Sequence, residues 1–322
     1  MYNVIMVPTD GSGADTAAIS LAVRLAQRYE AELRLVRVDT PQLIVEPMTS
    51  AAGLEQSAEA IEAARMTRLR KLESLGAQCR ALGEVRVITA LEEGPVAPTL
   101  RDYAERFNVD LIVMPSHARG GIARIALGSV TDYLVRHTDI PVLVVKQPVS
   151  LLSGGPDESI NRIVVPLDAS ALAEQVLPQV ASLASRLKGT VSLLQVLTPI
   201  TYSQKQIMQP GLPWWDNDIA VANEYLDRAS SYFAERDIPV TKDVVIGDDV
   251  PSAILDFATR ARADLIAIGT RGAGGLDRLV FGSVADQVSR KSLCSVLVFH
   301  PTSIVPDQLR APLMGVQSLS GV

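Results

Sequence analysis

At 322 residues the chain exceeds the ~150 usual for one domain, so two domains are expected, and 48% hydrophobic with 20% charged residues excludes a disordered or fibrous chain. The net charge of −6 divides into −2 for residues 1–150 (16 basic, 18 acidic) and −4 for the rest, and neither half is the clustered basic surface that binding to a phosphate backbone requires. No charged-then-apolar leader opens the chain and no apolar run approaches ~18 residues, so the expectations are a cytoplasmic protein, no membrane and no nucleic-acid partner.

The first predicted strand is "VIMVP" from Val4, and it runs into Asp10. "GADTAAISLAVRLAQRY" follows, with Ala17, Leu21, Leu25 and Ala26 on one side of a 3.6-residue period, which predicts a helix. The β-branched runs "LRLVRV", "VRVIT", "DLIVM" and "PVLVV" continue the alternation. Between "LRLVRV" and "VRVIT", "RMTRLRK" at Arg65 to Lys71 has helical spacing and reads as a solvated face. "QPVSLLSGGPDES" reads as a linker, after which the pattern starts again from Ile163 with "IVVPLDAS". Asp10 aligns with Asp168 at an offset of 158, whereas Asp102, Asp110 and Gly128 align with Asp256, Asp264 and Gly282 at 154. The expected class is α/β: two tandem doubly wound domains, each a parallel sheet flanked by helices and joined by right-handed crossovers. Their expected bounds are 1–147 and 161–300, with a linker at 148–160 and a flexible tail at 301–322.

In such sheets ligands bind beyond the carboxyl ends of the strands, where strand order switches. Asp10 and Asp168 fall there, and so do two loops after the fourth strands. The second loop, "GTRGAGGLDRLVFGS" from Gly269 to Ser283, carries five glycines; its looser copy is "PSHARGGIARIALGS", ending at Ser129. The absence of Gly-Lys-Ser/Thr excludes a Walker A loop, and the position after the fourth strand excludes a dinucleotide fingerprint. Glycine-rich backbone ahead of a helix N-terminus still suits an anion, because amides can close on phosphate and the helix dipole favours negative charge. A turn that merely joins strand to helix is the competing account, and for Asp10 and Asp168 it is helix capping.

With "VPTDGS" or "VPLDAS" at the first strand, Gly-2x-Gly-9x-Gly-Ser after the fourth and "PVLVV" at the fifth, the chain resembles the universal stress protein family in its tandem form. The resemblance implies five-stranded parallel sheets (the adenine-nucleotide α-hydrolase-like fold), ATP binding with Mg2+ on the phosphates, and pairing of domains through their fifth strands. It thus implies an intramolecular pseudo-dimer, with a homodimer and unidentified protein partners as further expectations. Carried over by position, it assigns Asp168, Val196, Gly269, Gly272, Gly282, Ser283 and Val284 to the second site, and Asp10, Val38, Gly128, Ser129 and Val130 to a weaker first site. The second copy departs in Ala169, where the family usually has glycine. The first departs more: Pro115 and Ala118 occupy the places of Gly269 and Gly272, with Gly120 and Gly121 nearby. Proline offers no N–H, so the first site is expected to be weaker, remodelled or empty.

No nucleophile–base arrangement is legible, so the expected role is a nucleotide-binding regulatory protein of the stress response and at most a weak ATPase. A slow ATPase or nucleotide transferase, and a nucleotide-free interaction module, are the alternatives. His117, His137, His300, Cys79 and Cys294 are expected to be structural or surface residues, with the cysteines buried and reduced. No metal-ligand cluster is expected, and Trp214 and Trp215 are placed in a Pro-rich connection. A bulky residue at Gly272 or Gly282 is expected to abolish binding while leaving the fold intact.

Overall fold

Runs that are apolar at every position, such as Val4–Pro8 and Leu111–Pro115, suit strands covered on both faces. In the computed structural model, which describes residues 2–40, 51–116, 127–146, 160–198, 214–270 and 281–301, they form the sheet centres of two compact units. Unit 1 lies within Met1–His117 and Gly128–Val145, and unit 2 comprises Lys146–Val322 together with Ala118–Leu127.

Unit 1 runs β1 (Val4–Pro8), α1 (Thr16–Tyr29), β2 (Glu32–Asp39), α2 (Ala51–Ala81), β3 (Val87–Glu93), α3 (Val96–Arg106), β4 (Leu111–Pro115), α4 (Ser129–His137) and β5 (Val142–Val145). Its strand order is β3-β2-β1-β4-β5, with every pairing parallel. The chain therefore steps outward from β1 to β3 and returns to β4 on the opposite side. The switch point is between β1 and β4.

Unit 2 repeats this plan as β6 (Arg162–Pro166), α5 (Ala171–Glu174), α6 (Leu177–Leu187), β7 (Thr190–Leu197), α7 (Trp214–Ala234), β8 (Val240–Ile246), α8 (Val250–Arg260), β9 (Leu265–Gly269), α9 (Ser283–Lys291) and β10 (Ser295–Phe299). Its order is β8-β7-β6-β9-β10, again all parallel, and its switch point lies between β6 and β9. The units are doubly wound α/β folds.

The repeat extends to details that composition does not report. Asp110 Oδ2 accepts hydrogen bonds from the Asn3 and Val4 amides at 2.6 and 3.0 Å, and Asp264 Oδ2 accepts from Asn161 and Arg162, both at 2.9 Å. Each aspartate ties the start of its unit's first strand to the entry of the fourth. Left-handed residues recur at matching places as well: Glu30 and Lys188 at φ 56° and 55° end the first helices, and Asn108 and Arg262 at 47° and 51° precede the fourth strands.

Three expectations change on contact with the structure. The first helix of unit 2 is split, because Pro178 near the start of α6 has no N–H for the carbonyl four residues back, that of Glu174. Trp214 and Trp215 are not in a loop but open α7. Cys79 is buried as expected, whereas Cys294 is only half-buried; neither forms a disulfide. Arg65 to Lys71 lie on α2, and Arg68 reaches Asp39 at 2.6 Å. The linker apart from buried Ile160, and the tail beyond Pro301, lie outside the described residues. Among the described residues no helix is long and apolar enough to cross a membrane.

Candidate functional site

At the carboxyl end of β6 the chain turns sharply. Asp168 is exposed, and its Oδ1 accepts hydrogen bonds from the Ser170 amide at 3.0 Å and the Ser170 hydroxyl at 2.6 Å. Ser170 in turn accepts from the Ala173 amide at 3.1 Å and so caps α5. In unit 1 the Asp10 carboxylate accepts from the Ser12 amide at 2.8 Å, while Asp15 holds the N-cap position of α1. Both aspartates therefore fold back on their own turn, and the capping expected of Asp168 is done by its neighbour. Ala169 sits at φ 63°, in the conformation that its counterpart Gly11 adopts at φ 70° without a Cβ penalty. For alanine that geometry costs ~1–2 kcal/mol.

Gly269 ends β9, and Thr270 follows it, buried. Thr270 donates its amide to the Phe299 carbonyl at 2.8 Å, pairs its hydroxyl with His300 Nδ1 at 3.4 Å, and accepts the Gly282 amide on its carbonyl at 2.9 Å. That last bond draws the N-terminus of α9 to the carboxyl end of β9. A Cβ on Gly282 would lie 2.7 Å from the Thr270 carbonyl oxygen, so this glycine is required by backbone approach. The expectation that a bulky residue at position 282 leaves the fold untouched is thereby corrected. Gly272, with Ala118, Gly120, Gly121 and His117 of the other copy, lies outside the described residues.

Gly282 and Gly128 are the N-caps of α9 and α4, and neither helix has a side-chain cap, in contrast to α5 and α8, which Ser170 and Asp249 cap. Among the described residues no side-chain cap reaches the first-turn amides of α9 and α4 at this end of the sheet, and exposed Ser283 and Ser129 stand beside them. Val284 and Val130 are half-buried in the same first turns, while Val196 and Val38 are half-buried near the ends of β7 and β2.

Unit 1 differs where a ligand would lie. Pro115, at the end of β4, occupies the place of Gly269 and has no amide to offer. Arg37 donates to the Asp10 carbonyl at 2.8 Å and stands over Gly11, where a Cβ would meet its Nη1 at 2.9 Å. The β1–α1 loop also borders a cavity of about 510 Å3, which runs between α1 and α2 past Thr9, Asp15, Lys71 and Cys79.

Four buried residues near the turns escaped the sequence reading: Thr9 and Asp15 in the β1–α1 connection, Glu174 on α5 and Tyr225 on α7. Burial pushes the Glu174 carboxyl up from its ordinary range; Tyr225 and Arg228 on α7 oppose this, and Asp168 on the preceding turn adds to it. A folded-state value above the unfolded one means that this group's contribution is fully present below the ordinary carboxylate range and is lost as pH rises through the folded-state value. Glu174→Gln is expected to flatten that loss, read as a smaller fall in unfolding free energy between about pH 4 and about pH 8 in denaturant titrations. The acid inside "ALAEQVLPQVA", a stretch otherwise suited to burial, was the signal available for Glu174. His137 pairs Nδ1 with the Tyr133 carbonyl at 2.8 Å and stacks on that ring, a local contact on α4.

The model of the universal stress protein family matches residues 1–146 and 159–300. A universal stress protein of Mycolicibacterium smegmatis is 24% identical over 306 residues, covering 92% of this chain and 97% of that protein. One from Methanocaldococcus jannaschii is 30% identical over 149 residues, covering 46% of this chain and 84% of that protein. The crystal structure of a universal stress protein from Archaeoglobus fulgidus covers 94% of this chain and 97% of its own at 19% identity, with a TM-score of 0.57, a likeness of fold.

Proposed function

Because the chain belongs to the universal stress protein family, we propose that it binds ATP, with Mg2+ on the phosphates, mainly in unit 2, as a cytoplasmic regulatory protein of the stress response. In this reading Asp168 and Val196 hold the nucleoside end, and Gly269, Gly272, Gly282, Ser283 and Val284 form the phosphate end. The observation that carries it is the approach of the Gly282 amide to Thr270, which brings an α9 N-terminus without a side-chain cap to the switch point where Asp168 stands. Amides and a helix dipole favour the phosphates there, and a carboxylate beyond them suits hydroxyl donors such as those of a ribose. Bound nucleotide sets the shape of a surface that protein partners recognise.

Unit 1 carries a different reading. Pro115 removes one amide from the cradle and Arg37 engages the Asp10 carbonyl, which favours a weak site or a nucleotide-free interaction role for Asp10, Val38, Gly128, Ser129 and Val130.

The test is to denature the purified chain, identify and count the released nucleotide, and titrate intact protein with Mg2+ and ATP. About one ATP per chain is expected, with a stabilisation of about 2.7 kcal/mol at 100 times the Kd, seen as several degrees in melting temperature. Two ATP per chain would restore unit 1 as a full site. No nucleotide and no shift would leave the interaction role for both units.

A further inference from the structure

We propose that the cavity between α1 and α2 of unit 1 binds a small apolar α-amino acid, its ammonium on Asp15, its carboxylate on Lys71 and Arg37, and its side chain against Leu72 and Cys79. All of these groups belong to unit 1, so the site does not rest on the nucleotide reading of unit 2.

The cavity measures about 510 Å3, within the ~300–1,000 Å3 usual for small-molecule sites. Asp15 lines it at 3% exposure. Among the described residues its carboxylate accepts one hydrogen bond, on Oδ2 from the Thr9 hydroxyl, and no cation is paired with it. A buried carboxylate held by a single neutral donor gains from a second donor that carries charge.

The cations stand at the same end. The Gly11 amide donates to Thr9 Oγ1 at 3.1 Å, and a Cβ on Gly11 would meet Arg37 Nη1 at 2.9 Å, so Arg37 and Asp15 flank one turn. Arg37 donates to the Asp10 carbonyl at 2.8 Å and meets Asp39 at 3.4 Å, contacts that fix the guanidinium and leave further N–H groups for a ligand. Arg68 reaches Asp39 at 2.6 Å, which brings Lys71, one turn later on α2, toward this end. Lys71 lines the cavity and has no ion pair among the described residues.

Opposite charges beside an apolar surface suit a zwitterion. A plain amine would face Arg37 and Lys71, and a plain acid would face Asp15, and like charges brought together are unfavourable. Beyond the charges the wall is Ile19, Leu72 and Cys79, all buried. Burial pushes the Cys79 thiol up, with Arg80 opposing and Asp15 adding, so the sulfur stays a neutral part of that wall.

Unit 2 lacks the carboxylate and the space together. Ala173 takes the place of Asp15 at the 158-residue offset. On α7, at the 154-residue offset, Tyr225 and Phe233 take the places of Lys71 and Cys79, at 5% and 0% exposure. Two rings there occupy what small or slender side chains leave open in unit 1. Protein interiors close space that nothing uses, so an open volume kept beside a buried carboxylate points to an occupant.

The test is calorimetry and thermal unfolding of the full chain with L-leucine and L-phenylalanine. Isoamylamine, which lacks the carboxylate of leucine, and isocaproate, which lacks its ammonium, are the controls. Saturable binding of at least one amino acid is expected, with both controls about tenfold weaker or more, the scale of one charged hydrogen bond. Asp15→Asn keeps the shape of the site and is expected to lower the affinity by a similar factor. Cys79→Phe puts the ring of unit 2 into the cavity and is expected to abolish binding while the parent melting temperature is kept or raised. Should that variant not fold, Lys71→Tyr, at an exposed position of α2, takes its place with the same loss expected. Absence of heat and of any melting shift with both amino acids overturns the site, as does unchanged affinity in the ring-filled variant. A control that binds as well as leucine overturns the recognition of a zwitterion.

Discussion

Replacing Gly282 with valine is expected to abolish ATP binding by unit 2 and to lower the unfolding free energy by about 1–3 kcal/mol, the range for forcing atoms into filled space. The added Cβ would lie 2.7 Å from the Thr270 carbonyl oxygen, a backbone atom with no rotamer to retreat into. Thr270 cannot shift cheaply either, because its amide is paired with Phe299 and its hydroxyl with His300. The bond from the Gly282 amide to Thr270 must therefore lengthen, and α9 withdraws its first-turn amides from the switch point. Ser283→Ala provides the contrast, since that side chain is exposed and its loss moves no backbone. It is expected to weaken ATP binding while leaving the urea midpoint in place. Nucleotide counts after denaturation and urea curves on both variants separate the two effects. A valine variant that still carries one ATP per chain would show that the α9 amides do not hold phosphate.

Gly282 also marks where sequence reading stops. The motif spacing located this glycine, and anion chemistry gave a reason for it, but the packing reason depends on Thr270, which stands before it in the chain at the end of β9. Periodicity reports only which residues share a face of one element, so contacts closed by tertiary folding stay invisible to it. The repeat, the strand order class and the placement of Asp10 and Asp168 at strand ends were all legible, because each follows from local alternation and the 158-residue offset. The burial of Glu174 on α5 and Tyr225 on α7 was not, because no local pattern distinguishes Tyr225 from any other helix-core aromatic. The register of Trp214 was lost to the prolines before it, which read as a loop continuing through the tryptophans.

The repeated aspartates carry the second large effect, and it concerns stability alone. Asp264→Ala is expected to cost about 3 kcal/mol. Two amides lose a charged acceptor, each bond being worth about 1.5–3 kcal/mol before a discount for the solvent that reaches this edge. Arg162 is the first residue of β6 and Asp264 stands one residue short of β9, so the carboxylate holds these amides where the pairing of the two strands begins. For a unit of this size the loss corresponds to roughly 6–12 °C in melting temperature. Asp264→Asn, which keeps an acceptor oxygen but not the charge, is expected to recover about half of it. Asp110→Ala should behave alike in unit 1, because Asp110 makes the same pair of bonds to Asn3 and Val4. Thermal unfolding of the four single variants, Ala and Asn at each position, measures this directly. Shifts within about 1 °C of the parent would mean that water replaces the carboxylate without loss, and that the aspartate recurs in both units for a reason other than holding the first strand.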